Sequence, residues 1–308
     1  MDIGNVIEKM IMLFCIMLIG FIGNKAGILD GTGNKKFSAL VVNITAPALI
    51  LASSADENLS GDKNSAILML LAAFGVYLFL LLLSFLAGAI LKKEPGGSGL
   101  YRFMTVFGNN AFMGIPVVEA VFGTVFYAAL FNLPNNLLIY SLGSYLLSGK
   151  EGKKSSFSIK QILNPGTLSA AVALIMFLCN LRFPKPVLGT LQTVGNITTP
   201  LSMLVIGSTL AETSVKSTFG NWKIYVFGVF KLLVIPLTVF LLGSLVIKDS
   251  LILGVLTVLS AMPCAAVTTM LCEETGQDSK TAAKYIFITT LMSVITIPLV
   301  AFAFSKWV

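Results

Sequence analysis

The side chains best placed to do chemistry in this chain are uncharged. Residues 107–116 read Phe107-Gly108-Asn109-Asn110-Ala111-Phe112-Met113-Gly114-Ile115-Pro116, placing two glycines, two amides and a proline inside an apolar run. Residues 260–269 read Ser260-Ala261-Met262-Pro263-Cys264-Ala265-Ala266-Val267-Thr268-Thr269. A regular helix is poorly supported by either stretch, because proline lacks a backbone donor and its ring clashes with the carbonyl four residues back. A helix cut at such a point exposes N–H groups and partial positive charge at one end and carbonyls at the other. Two such cuts crossing at one level would make a small polarised site able to hold a carboxylate. Asn109, Asn110, Thr268 and Thr269 offer further hydrogen bonds there without the desolvation penalty of a fixed charge. Gly108, Gly114, Pro116, Pro263 and Cys264 complete the candidate substrate site; that the amides instead satisfy neighbouring backbone stays open on these grounds.

The next apolar stretch carries Asn132, Pro134, Asn135 and Asn136. Amides are costly in lipid and are expected to face protein, either lining the site, with Asn132 and Asn136 as candidates, or bonding helix to helix. All six aspartates (Asp2, Asp30, Asp56, Asp62, Asp249, Asp278) fall at the termini or in connections. That leaves Glu8, Glu119 and Lys231 as the ionisable side chains within apolar stretches and away from their ends. Glu8, beside Lys9, is expected in solvent near the outer surface. Lys231 lies about one and a half turns inside its stretch, shallow enough for its stem to snorkel. Glu119 and Lys231 stand as possible coupling or counter-ion groups.

The elements that must position these residues follow from composition. Of 308 residues, 56% are hydrophobic and 11% charged, against about 25% charged in a soluble domain, which excludes a water-soluble globule. With about 20 apolar residues per crossing, the chain has room for around ten spans and little else. Clusters of Gly, Asn, Asp and Lys mark them near 5–24, 37–55, 65–91, 99–121, 124–148, 165–183, 187–211, 222–247, 250–272 and 281–305. The first stretch lacks a basic flank and a small-residue cleavage site, so it reads as a first helix, and the mature protein is expected to begin at Met1. Histidine is absent and the four cysteines lack C-x-x-C spacing, so no zinc, haem or disulfide framework is expected. Paired membrane aspartates, a Ser–His pair and H-E-x-x-H are all missing, which speaks against an intramembrane hydrolase and for a protein that is not an enzyme.

The net charge of +7 reads as cytoplasmic anchoring in lipid and not as nucleic-acid binding. Fourteen of the 21 Lys and Arg residues lie in connections that follow odd-numbered spans or, for Arg102, Lys223 and Lys284, within the first turn of the next span. The positive-inside rule then puts those connections in the cytoplasm and both termini outside it, in a multi-pass cell-membrane protein. The longest connection, 150–164, carries Lys150, Lys153, Lys154 and Lys160 and becomes a cytoplasmic linker.

An internal repeat organises the spans. Asn43-Ile44-Thr45-Ala46-Pro47 in the second recurs as Asn196-Ile197-Thr198-Thr199-Pro200 in the seventh, 153 residues later. Two halves of five spans, 1–149 and 165–308, account for this offset. Because five is odd, the second half enters the membrane from the opposite side, the inverted repeat of secondary transporters. Both proline-bearing helices are expected to bend at Pro47 and Pro200. The two candidate interruptions occupy the fourth place in each half, and paired breaks in corresponding spans point to a transport site.

These residues resemble the auxin efflux carrier family, which includes plant PIN-FORMED exporters and bacterial malate or malonate permease-like proteins. The resemblance spans nearly the whole chain and rests on G-N-N-A-F-M-G-I-P at Gly108–Pro116, on S-A-M-P-C-A at Ser260–Ala265 and on the Asn43–Pro47 segment. It implies an all-α integral membrane fold of ten helices in an inverted five-plus-five repeat with crossing helices four and nine. It also implies a homodimer through a scaffold of spans one, two, six and seven, with spans three to five and eight to ten moving as an elevator. Asn109 or Asn110 would match the family's substrate-contacting asparagine, with Pro116 and Pro263 near the crossover. Cys264, Ala265 and Ala266 stand where plant members carry amide or glycine, and the short central connection points to a prokaryotic transporter.

The leading expectation is a carrier of a small organic anion, a carboxylate or dicarboxylate such as malate, or an auxin-like acid, with no resident cofactor. A sodium-coupled symporter of the bile-acid type is the alternative, since carbonyls at the breaks and Thr or Asn oxygens could hold sodium; proton coupling is the other possibility. A proton antiporter with a midplane aspartate pair is disfavoured because no aspartate lies in a span, and a channel lacks a ring of charge or repeated carbonyls.

Overall fold

The computed structural model describes residues 3–53, 63–91, 95–148, 165–212 and 221–305; the linker 150–164 and both extreme termini lie outside this set. The described residues are helical, joined by turns, with one isolated backbone bridge and no strand. In chain order the helices are α1 (Ile3–Lys25), α2 (Gly31–Ser53), α3 (Lys63–Ile90), α4 (Gly97–Val106), α5 (Asn110–Phe122), α6 (126–148), α7 (Pro165–Leu178), α8 (Lys185–Gly195), α9 (Thr198–Glu212), α10 (Trp222–Ser244), α11 (Ser250–Ser260), α12 (Val267–Thr275) and α13 (Ser279–Ser305). Five apolar helical stretches have membrane length: α2, α3, α8 with α9, α10 and α13. Shorter apolar helices lie in α1, α5, α7 and α11.

Side-chain placement is that of a protein in lipid. Along α3, Ala66, Met69, Ala73, Tyr77, Leu80 and Ser84 are buried, while Leu71, Leu78 and Leu82 on the opposite face are more than 60% exposed. Large apolar residues on that outer face suit hydrocarbon and would be a liability in water. Helix starts follow local chemistry: the Asp249 carboxylate accepts from the N–H groups of Leu251 (2.9 Å) and Ile252 (3.1 Å) at the start of α11, a side-chain N-cap. The stretch 165–183 ends as a helix at Leu178, because Asn180 turns to φ 54° and Leu181 N–H donates back to the Met176 carbonyl at 2.8 Å, a Schellman-type stop.

Three prolines shape their helices in one consistent way. Wide π-turns at Val41–Thr45, Asn110–Gly114 and Phe230–Val234 each precede a proline by two residues: Pro47, Pro116 and Pro236. The carbonyl that each ring would strike, four residues back, sits inside the widened turn, so the chain swings it clear. At Pro200 the solution differs, and the helix stops altogether at an Asn196–Ile197 turn between α8 and α9.

Packing pairs recur between the two parts of the chain. Helix α1 lies along α9, and α7 lies on α2; α3 packs on α4 and α6, and α10 packs on α11 and α13. The α1–α9 crossing is close enough that a Cβ at Gly207 would come within 1.8 Å of the Met17 carbonyl oxygen.

Candidate functional site

Both interruptions expected from the sequence are present. Helix α4 stops at Val106 and α5 starts at Asn110; α11 stops at Ser260 and α12 starts at Val267. The non-helical segments between them meet backbone to backbone, with Gly108 and Cys264 paired as an antiparallel bridge. Asn109 N–H donates to the Pro263 carbonyl at 2.8 Å, and Ala265 N–H donates to the Phe107 carbonyl at 3.3 Å. These bonds satisfy groups that a cut helix would otherwise leave bare in the membrane interior. The pattern is two-fold about the Gly108–Cys264 pair, since each strand's following N–H reaches the other's preceding carbonyl. Gly114 belongs to the same contact: a Cβ there would stand 2.7 Å from Leu259 Cδ2 and 3.4 Å from Met262 Cγ.

Each new helix start reaches the surface of the protein at one small residue. Ala111 at the head of α5 and Ala266 just before α12 are exposed, while Gly108, Pro263, Cys264 and Pro116 are buried. The accessible parts of the crossing therefore lie at helix N-termini, which favour negative charge; of their first N–H groups, those of Asn110 and Thr268 donate to the Gly108 and Ala265 carbonyls at 2.8 and 3.0 Å.

The polar side chains divide into those that hold the crossing together and those still available to a solute. Asn110 is 3% exposed and points inward; its Nδ2 donates to the Tyr77 hydroxyl at 3.1 Å, which donates to Asn135 Oδ1 at 3.0 Å. Thr268 is fully buried, and its hydroxyl donates to the Ala265 carbonyl at 2.5 Å; the half-buried Thr269 donates to the Ala266 carbonyl at 3.1 Å. Both threonine hydroxyl protons thus go to the backbone of the interruption itself. Asn132 Nδ2 donates to the Ala128 carbonyl of its own helix at 2.9 Å, and Asn136 is half-buried. Asn109, 6% exposed at the bridge itself, makes no side-chain hydrogen bond among the described residues.

The second interruption is held from α13, and the first from α10. Cys264 N–H donates to Thr289 Oγ1 at 3.2 Å, and Thr289 donates in turn to the Tyr285 carbonyl at 2.7 Å. Lys231 does not snorkel. Its side chain is 1% exposed and Nζ donates to the Thr105 carbonyl at 2.9 Å, at the C-terminal end of α4. The π-turn Phe230–Val234 that accommodates Pro236 also contains Lys231, so a helix distortion and not depth decides where this side chain goes. Asn135, one of the amides expected to face protein, bonds helix to helix, whereas Tyr77 and Thr289 carry no local signal in the sequence. Their spacing held a signal: Lys231 lies 154 residues after Tyr77, and Thr289 lies 154 after Asn135, close to the offset of the proline motif.

The motif residues outside the crossing part company. Asn43 is exposed and its Nδ2 donates to the Ala39 carbonyl of its own helix at 2.8 Å. Asn196 lines a polar cavity of about 430 Å³ together with Ser53, Glu119, Thr124 and Gln192. Glu119 accepts there from the Thr199 hydroxyl at 2.7 Å, tying α5 to α9 beside Pro200. Glu8 and Lys9 are exposed, as their sequence neighbourhood predicts.

An all-helical membrane protein whose interrupted helices pair through their backbones is the class that this fold and site define. The chain belongs to the family described as Membrane transport protein, which matches residues 5–301 and upholds the resemblance to auxin efflux carriers. It is 27% identical over 300 residues to an uncharacterized transporter of Methanocaldococcus jannaschii, covering 95% of this chain and 96% of that one. An uncharacterized transporter of Methanothermobacter thermautotrophicus is 24% identical over 302 residues, with the same coverage of both chains. The uncharacterized transporter YfdV of Escherichia coli is 21% identical over 310 residues. Family and membrane-length helices together make this a membrane transport protein.

Proposed function

We propose that the chain is a secondary carrier of a small organic anion, binding its substrate at the crossing of Gly108 and Cys264 and working by alternating access of elevator type. The observation that carries this reading is the two-fold backbone pairing of the interruptions, which leaves two helix N-termini as the accessible face of a site deep in the protein. Such ends stabilise a carboxylate without any charged side chain touching it.

The same symmetry supports two inverted halves of five spans, 1–149 and 165–308. The pairs α1–α9 and α7–α2 are equivalent under it, as are α3–α4 and α10–α11, and α3–α6 and α10–α13. The 154-residue spacing of Tyr77 to Lys231 and of Asn135 to Thr289 fits the same duplication. In this reading α1, α2, α7, α8 and α9 form the scaffold, through which two copies pair. Helices α3–α6 and α10–α13 form the moving part, and the cavity at Glu119 and Thr199 lies on the boundary between them. The lysine asymmetry of the connections puts both termini outside the cytoplasm. Transport, and not catalysis, is the task of such an arrangement.

The test is a thermal-shift screen of the purified protein against carboxylates, each with and without sodium. A ligand that binds only the folded state raises the melting temperature by mass action. Stabilisation by at least one carboxylate is expected; stabilisation by none overturns the reading.

A further inference from the structure

Lys231 is the one charged side chain among the buried polar residues of the described chain. Its surroundings are unusual for a buried charge, which is normally paired with an opposite one. No carboxylate among the described residues forms an ion pair with it, and its described partner is a backbone carbonyl, that of Thr105. Of the acidic residues of the crossing helices, Glu119 is engaged with Thr199 at the polar cavity, and Glu273 and Glu274 of α12 lie outside the described side chains. Of the other cations in the same group of helices, Arg102 lies over the Phe85 ring at 4.8 Å and Lys284 is half-buried near the start of α13. The ammonium is thus an isolated positive charge built into the crossing.

Dipole accounting shows what it adds. Two cut helices contribute two N-terminal ends of about +0.5 charge and two C-terminal ends of about −0.5, which sum to zero. By themselves the dipoles orient an anion but give the crossing no net charge. Lys231 sits on one of the negative ends, that of α4, and covers it with a full positive charge. The residue 154 positions earlier, Tyr77, contributes only a neutral hydroxyl to the first half. The charge therefore enters from one half only, and the crossing is left with a surplus of one.

We propose that Lys231 is a built-in counter-charge that makes the crossing selective for singly charged organic anions and takes the place of a bound metal cation. This rests on the carrier reading above and narrows it. Moving an uncompensated charge through a low-dielectric layer is expensive. Among the described side chains, the buried charge of the moving part is +1 when empty, zero with a monoanion bound and −1 with a dianion bound. The loaded step is cheapest for a monoanion, and the empty return is the costly one, so the protein should exchange monoanions faster than it moves them in one direction.

The experiment uses the purified full chain in sodium-free N-methylglucamine buffer. Wild type, K231M and K231R are titrated by thermal shift with acetate, butyrate and phenylacetate as monoanions, malonate and succinate as dianions, and butyramide as a neutral analogue. Wild type is expected to bind a monoanion about tenfold or more tighter than either dianion or the amide. K231M should lose about tenfold or more in monoanion affinity and no longer distinguish acid from amide, whereas K231R should keep that preference. In reconstituted membranes with the monoanion saturating on both sides, a voltage step should evoke no transient charge displacement by the loaded carrier in wild type and a transient displacement of negative charge in K231M. Should K231M fail to fold, the wild-type and K231R charge preferences decide alone. Monoanion affinity that survives in folded K231M, or a wild-type preference for dianions, overturns this proposal and leaves the carrier reading standing. Stabilisation of wild type by none of these acids overturns both.

Discussion

Gly108 and Cys264 face each other as an antiparallel pair although 156 residues separate them in the chain. The pair sits where two helices have given up their own hydrogen bonds, and the bonds from Asn109 to Pro263 and from Ala265 to Phe107 replace some of what was lost. The approach is close: a Cβ on Gly108 would stand 3.2 Å from both Met262 Cβ and Asn110 Oδ1. Gly108→Val is therefore expected to destabilise the protein by about 1–3 kcal/mol through overpacking. Gly189→Ala, with no heavy atom within 4 Å of its Cβ, serves as the control, and melting of the two purified variants in detergent makes the comparison.

Tyr77 donates to Asn135 and accepts from Asn110 between α3, α5 and α6. Tyr77→Phe keeps the ring but leaves a buried donor and a buried acceptor unpaired, at a cost of about 1–2 kcal/mol. If the hydroxyl acts through those two partners, Tyr77→Phe combined with Asn110→Ala costs clearly less than the sum of the singles. Strict additivity in a double-mutant cycle on melting would show the three groups to be independent.

Asn109 and Asn110 are neighbours with opposite prospects. Asn109→Ala removes a side chain that makes no hydrogen bond among the described residues. It should leave the ligand-free stability within about 0.5 kcal/mol of wild type and abolish stabilisation by a carboxylate. Asn110→Ala should instead lower the ligand-free melting temperature, because it strips the Tyr77 hydroxyl of a partner. The reverse assignment, with ligand response lost only in the Asn110 variant, would move the contact from one asparagine to the other.

At the start of α13 the Asp278 carboxyl is held below the usual carboxylate range. The Thr281 hydroxyl is the main cause; burial opposes it, and the amide N–H groups of Thr281 and Lys280 and the charge of Lys284 add to the lowering. A lowered folded value means that the contribution is fully present above the unfolded Asp value of about 3.9 and is lost as pH falls through the lowered value. Asp278→Ala should cost on the order of 0.5–1 kcal/mol at neutral pH, as for loss of an exposed N-cap. The gap between wild type and variant should close on acidification below the ordinary Asp range, as followed by melting temperature against pH. A gap that widens in acid would refute the capping role.

The places where helices must fail were legible in the sequence, because Gly108, Pro116 and Pro263 act on their own backbone wherever they occur. The recurrence of the N-I-T-x-P motif was equally legible at Pro47 and Pro200, although one proline widens its helix into a π-turn and the other follows a break. Side-chain direction was not legible. Asn110 and Thr268 looked as available to a solute as Asn109, yet one bonds to Tyr77 and the other to the Ala265 carbonyl. Lys231 was read by its depth, when the π-turn that precedes Pro236 sets its heading. Tyr77 and Thr289, in apolar helices without local signals, showed themselves only through the company they keep.

By itself the sequence determined that this chain lives in lipid, that a proline motif recurs 153 residues apart, and that two of its helices break. Those properties are sums over composition or consequences of a residue's own backbone. Only the tertiary structure decided that the two breaks meet at Gly108 and Cys264, which amides face inward, and that one ammonium comes to rest on the carbonyl end of α4. Contacts between residues more than 100 positions apart depend on how each helix is rotated about its axis, and that rotation is set by the packing of all the helices together.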